Sequence, residues 1–133
     1  MASQFDPFHF FEVSDFVYEN RLCGKEESCY RTAIGRIYYS IFLKIKDKME
    51  KQGDFIRYKY SDGKNFGEHE ILLKFLLTKG GEFTKLSNNL EKLRNLRVDS
   101  DYKIDKEVFE SQVKLAKALF EVIKKNCQSC GYF

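Results

Sequence analysis

The stretch that decides the fold is RTAIGRIYYSIF, Arg31 to Phe42. Ala33, Ile34, Ile37, Tyr38, Ile41 and Phe42, continued by Ile45, recur there at three- and four-residue steps. That spacing stacks side chains on one side of an α-helix and predicts a buried helical face, running from about Glu26 to Gln52 and ended by Gly53. Arg31, Arg36, Tyr38 and Tyr39 sit inside this apolar pattern. They pose the functional question, because a helix that only packs a core has no use for two guanidinium groups.

Working outward, Asp6 followed by Pro7 is a helix start, since Asp caps free amides and Pro is tolerated at the first helical position. Gly24 closes this first helix. Beyond the central helix, residues 53–67 (GDFIRYKYSDGKNFG) carry glycine at both ends and in the middle and read as a long connection, with Phe55, Arg57, Tyr58 and Tyr60 suited to a short extended piece. EHEILLKFLLTKGG then predicts a third helix with Ile71, Leu72, Phe75 and Leu76 inward, closed by Gly80 and Gly81. EFTKLSNNLEKLRNLR predicts a fourth, with Phe83, Leu86, Leu90, Leu93 and either Leu96 or Arg97 on one stripe.

VDSDYKID breaks the period. Its aspartates and serine favour local side-chain bonds over continued helix, and Asp105 is the expected cap of the last helix. There Phe109, Val113, Ala116, Phe120 and Ile123 follow the helical repeat. Leu115, Leu119 and Val122 widen the apolar face beyond what one neighbour covers, which fits a central helix or a dimer contact. No period-2 run competes, and the chain has one proline. The fold expected is all-α: one domain over 1–133, an up-and-down antiparallel bundle of about five helices with a short tail at 126–133.

The 133 residues, 43% hydrophobic and 32% charged, can bury roughly two-thirds of their unfolded surface without a staple. A net charge of +3 permits contact with nucleic acid without arguing for it. The start MASQFDPFHFFEV has no basic n-region, and no apolar run approaches the roughly 18 residues of a membrane span, so a cytoplasmic protein without membrane partners is expected. No cofactor motif is present.

Arg36 falls near the edge of the buried face, where an unpaired guanidinium is costly. LRNLRVDSDY supplies the candidates. Asp99 or Asp101 can accept an arginine, or Arg94 and Arg97 can join Arg36 in a cationic pocket. One reading is structural, with ion pairs and tyrosine hydroxyls satisfied at the core edge. The other is a phosphate or RNA-backbone site of Arg36, Arg94 and Arg97, with Tyr39 or Tyr102 for base stacking.

RTAIGRIYYSIF resembles the second helix of HEPN domains, where an R-x-Y-Y-x-x-F run recurs. EHEILLKFL, with His69 near its start, is similar to the family's third helix, and LRNLRVDSDYKID to its R-x-x-A-D-Y segment, with Ser100 in place of alanine. The resemblance covers roughly residues 8–125. It implies a helical bundle, commonly a homodimer, that binds RNA or nucleotides, often beside a nucleotidyltransferase antitoxin partner. Many members are metal-independent ribonucleases in which an Arg is followed four to six positions later by His.

That pair is missing. Counting from Arg94 the histidine position holds Asp99, Ser100 or Asp101, and from Arg97 it holds Tyr102, Lys103 or Ile104. Aspartate is a poor replacement near neutral pH, with an unperturbed pKa of about 3.9 against about 6.5 for His. The expectation is therefore a binding module in which Arg36, Arg94 and Arg97 contact phosphate, Asp101 orients an arginine and Tyr102 stacks. The alternatives are a ribonuclease toxin whose site uses Arg94, Arg97, Tyr102 and His69, and a structural partner-binding bundle.

Cys23 and Cys29 flank the first interhelical turn, and Cys127 and Cys130 end the last helix. Strict alternation of five helices would bring all four thiols to one end, leaving free thiols, a disulfide or a zinc cluster open.

Overall fold

The repeat around Arg31–Phe42 lies in one 26-residue helix, Glu26–Lys51, and all of its periodic apolar residues are buried. The structure is a computed structural model that describes residues 5–54 and 67–133. In chain order its helices are α1 (His9–Glu19), α2 (Glu26–Lys51), α3 (Glu68–Lys79), α4 (Glu82–Tyr102) and α5 (Glu110–Ser129). The fold is an all-helical bundle, with no strand among the described residues. The extended piece expected at Phe55, Arg57, Tyr58 and Tyr60 lies outside them.

α2 is the central element, packed against α1, α4 and α5. Two of these neighbours, α1 and α4, run opposite to it, and α5 runs in the same sense. Lys44 of α2 reaches Asp6 at 3.2 Å and Arg36 stacks on Phe10, so α1 descends as α2 rises. Arg31 bonds the Ser100 carbonyl and Tyr39 meets Arg97, so α4 descends too. The Ser87 hydroxyl donates to the Leu73 carbonyl at 3.2 Å while the pocket beside it joins Glu70 to Arg94, which sets α3 antiparallel to α4. α3 therefore runs in the same sense as α2. Alternation lapses at this one connection, and the lapse carries the start of α3 back beside the middle of α2.

The ends follow local chemistry. Asp6 Oδ1 accepts the Phe8 amide at 3.0 Å, as expected of a cap, but Pro7 and Phe8 form a turn and α1 begins at His9. Gly80 and Gly81, both with positive φ, turn the chain between α3 and α4, a conformation open to glycine at little cost.

The expected break at VDSDYKID falls later than the sequence suggests. α4 continues to Tyr102 because its polar residues pair within the helix: Arg97 with Asp101, Lys103 with Asp99, and the Ser100 hydroxyl with the Leu96 carbonyl. Opposite charges four residues apart support a helix rather than end it. Asp105 does not cap α5; the Phe109 amide is held instead by Gln112 Oε1 at 2.7 Å.

The wide face of α5 is only partly covered among the described residues, with Leu119 packed against the core. Val113, Ala116, Phe120 and Ile123 are buried, whereas Leu115 and Val122 are about half exposed and Phe109 lies outside the core. The tail docks: the Tyr132 amide bonds the Cys127 carbonyl at 2.9 Å and its buried ring meets Phe83.

The four thiols do not meet. Tyr18, near the end of α1, donates to Glu110 at the start of α5, and Phe8, before α1, packs on Phe120 and Phe133. α5 thus ends beside the beginning of α1, while Cys23 follows its end. The 11 residues of α1 alone span about 16 Å, so a bridge or zinc cluster joining the two cysteine pairs is ruled out by distance. All four cysteines are free.

Candidate functional site

Three helices meet at the middle of α2. α2 supplies Tyr38 and Tyr39, α4 supplies Arg94, Arg97, Asp101 and Tyr102, and the first turn of α3 supplies His69. The spacing of α4 explains its share. Arg97 continues the stripe of Leu86, Leu90 and Leu93 and is only 8% exposed, while Leu96 packs half-buried at the edge of the core.

Arg97 is held on several sides. Its Nη2 donates to the Tyr39 hydroxyl and, at 3.4 Å, to that of Tyr102. Its guanidinium carbon lies 4.9 Å from the Tyr39 ring centroid, 5.3 Å from that of Tyr102 and 5.9 Å from that of Tyr38. Asp101 Oδ2 stands 3.0 Å from Nε, but the N–H does not point at it, and the buried Nε is left without a hydrogen bond. The pair is a charge contact between residues four apart on α4.

Arg94, one turn earlier, is half-buried and makes no ion pair among the described residues; its enclosed Nε has no hydrogen-bond partner. Its side chain also lines a groove of about 220 Å³ between α3 and α4, with Glu70, Leu73, Lys74, Leu77, Ser87 and Glu91. A buried donor left unmet is an uncommon feature that costs free energy, and an incoming anion would relieve it.

His69 reaches this place from α3. Its Nδ1 is 2.5 Å from the Tyr38 hydroxyl, and its ring stacks on Phe42 with centroids 4.2 Å apart. Burial, and then the charges of Arg94 and Arg97, pull its pKa down to about 4. Burial likewise pushes the Tyr38 phenol up. Both groups are therefore neutral near pH 7. Asp101 stands against Arg97, while Arg94 shares its groove with the carboxylates of Glu70 and Glu91 without pairing with either.

Of the remaining expected residues, Arg36 joins only through Tyr39. Its guanidinium stacks on Phe10 at 5.0 Å and on Tyr39 at 5.4 Å, and it finds no acidic partner among the described residues. It does not enter one pocket with Arg94. Asp99 takes no arginine side chain; it pairs with Lys103 at 3.0 Å and Lys106 at 3.7 Å.

Arg31 belongs to the scaffold. Its Nη1 bonds the Ser100 carbonyl at 2.9 Å and those of Asp99 and Lys103 at 3.4 Å, its Nη2 bonds that of Lys106, and Glu27 pairs with it at 2.8 Å. It caps the C-terminus of α4, where carbonyls lack partners and the helix dipole favours a cation. The sequence reading missed Tyr38 as the partner of His69. A tyrosine on a fully apolar face needs a hydrogen-bond partner for its hydroxyl, and that was the available signal.

No protein-family model matches the chain, and no solved structure does. Matching proteins include two uncharacterized proteins of Methanocaldococcus jannaschii. MJ0628 is 31% identical over 115 residues, which are 79% of this chain and 68% of that protein. MJ0992 is 30% identical over 119 residues, 80% of this chain and 66% of that protein.

Proposed function

We propose a function on one premise: the chain belongs to the same protein family as MJ0628 of Methanocaldococcus jannaschii. It is a HEPN-like helical module that binds RNA or nucleotide phosphate through Arg94 and Arg97. The observation that carries this reading is Arg94, which makes no ion pair among the described residues and whose buried Nε has no hydrogen-bond partner, one turn from Arg97 with Asp101 beside it. A phosphate oxygen meets both needs, because guanidinium groups bind phosphate with charge-assisted, directional hydrogen bonds. Tyr102, 67% exposed beside Arg97, offers a face for a base.

The module acts as a homodimer, in this reading, through the exposed Leu115 and Val122 of α5, and beside a nucleotidyltransferase-type partner as the HEPN resemblance implies. The test is binding of a fluorescent RNA at rising salt. Affinity should fall with salt as counterions are released, and Arg94→Ala should reduce the slope of log K against log salt by about 1. Salt-independent binding, or binding unchanged by Arg94→Ala, would overturn it.

A second reading, metal-independent RNA cleavage, has one observation in its favour. His69 enters from α3 to stand beside the two arginines, supplying an imidazole that the sequence after Arg94 lacks. Purified protein in EDTA should then cleave RNA, and both His69→Ala and Arg97→Ala should abolish cleavage with helical content retained. Binding without cleavage leaves the first reading alone standing.

A further inference from the structure

Aromatic rings and guanidinium groups alternate from the start of the chain's described part to the end of α4. Phe5 meets Phe10 edge-on with centroids 5.2 Å apart, and Arg36 lies 5.0 Å from Phe10 and 5.4 Å from Tyr39. Arg97 lies 4.9 Å from the same Tyr39 ring and 5.3 Å from Tyr102. Six planar groups from three parts of the chain thus form one continuous row, with Arg97 of the phosphate site near one end. Both termini of the row are open: Phe5 is 54% exposed and Tyr102 67%.

The row has more positive charge than its own carboxylate neutralises. Arg36 is without an acidic partner among the described residues, and only Asp101 stands against Arg97. A packing role explains part of it, since Arg36 on Phe10 ties α1 to α2. It does not explain why the row continues to rings left in solvent at both ends, where burial of an aromatic would stabilise and exposure does not.

We propose that this row is a base-stacking platform for a short single strand of nucleic acid, with Phe10, Arg36 and Phe5 forming a subsite beyond the phosphate-binding arginines. The proposal rests on the reading of Arg94 and Arg97 as phosphate ligands and extends it from a nucleotide to a strand. Single strands are held by such combinations of planar side chains and cations, because every base has a π-face and every linkage a negative charge. Guanidinium planes serve as stacking surfaces alongside the aromatics. A peptide partner would need matching anionic and apolar side chains at each step; a strand supplies charge and planar surface in every repeat.

The experiment measures affinity for uridine monophosphate and for oligouridylates from dimer to octamer, using the parent protein, Phe5→Ala and Phe10→Leu. The Leu variant keeps apolar contact between α1 and α2, and circular dichroism verifies its fold. Affinity of the parent should climb with length. Each variant should lose roughly tenfold for the longer oligomers, in line with the loss of one stacked base, and keep its affinity for the monophosphate. Equal affinity for monomer and octamer would overturn the platform and leave the phosphate site intact. A length-dependent gain that survives both substitutions would place the strand, or a protein partner, elsewhere and also overturn it. Failure of both probes to bind would remove the phosphate reading together with the platform.

Discussion

Two arginines on the α2–α4 contact meet opposite fates. Arg31 is satisfied nearly all round, by four main-chain carbonyls and Glu27, whereas Arg94 keeps a buried Nε with no acceptor. Both lie at the border of the same core. The difference shows how burial of a guanidinium divides into two kinds of site: one where the fold itself meets the donors, and one where an enclosed donor opens on a groove and stays unmet. Only the second has an interaction left to make.

Arg31→Ala should break this comparison most visibly. It leaves the last carbonyls of α4 and the turn through Lys106 without their donor, and charged hydrogen bonds of this kind are worth about 1.5–3 kcal/mol. Discounting for partial exposure and for water replacing some bonds, the loss should be about 2–3 kcal/mol in urea denaturation. Arg94→Ala is the counterpart. Stability should stay within about 0.5 kcal/mol of the parent or rise, since a buried unmet donor is removed, while RNA binding falls at least severalfold. If Arg94→Ala costs as much stability as Arg31→Ala, Arg94 is a scaffold residue and the contrast dissolves.

The part of this that was legible in the sequence follows from periodicity. The buried face of α2 and the inward set of α3 emerged at the expected positions, because three-to-four-residue recurrence reports burial directly. Arg97 was ambiguous with Leu96 on the stripe of α4, and one residue of helix phase separates them. The extension of α4 through Asp99–Tyr102 was hidden for another reason. Aspartate and serine disfavour helix locally, and here they are outweighed by ion pairs at four-residue spacing and by a cap from Arg31, 68 residues away in sequence from Asp99. The approach of His69 to Tyr38 depends on α3 running in the same sense as α2. That is a topological fact with no local trace, and the same error of strict alternation brought four distant thiols together on paper.

His69 makes the comparison sensitive to pH. Its folded pKa, lowered to about 4 by burial and by Arg94 and Arg97, lies below its unfolded value near 6.5. Between those values the unfolded chain binds the proton that the folded site refuses. Stability should therefore be level above about pH 6.5 and fall as the pH drops towards 4. His69→Gln should flatten the part of that fall above pH 5, where carboxylates contribute least. Arg94→Ala should shift it to lower pH-sensitivity, because one of the two repelling charges is gone. An unchanged profile in both variants would separate His69 electrostatically from the arginines.

Gly35 gives the smallest and sharpest test, because it sits on α2 between the two arginine environments. A Cβ there would meet Asp101 Oδ1 at 3.4 Å, an ordinary van der Waals contact, and its backbone is helical. Alanine is favoured over glycine in a helix interior by roughly 0.5–1 kcal/mol. Gly35→Ala should accordingly stabilise by a little less than that, with Asp101 giving way slightly and RNA affinity unchanged within about twofold, a change of about 0.4 kcal/mol. A loss of stability would mean that α2 and α4 are closer at this crossing than a methyl group allows. A loss of affinity with stability retained would be more informative: it would mean that the position of Asp101 against Arg97 sets the strength of phosphate binding, and that the carboxylate beside the arginine is tuned rather than merely neutralising.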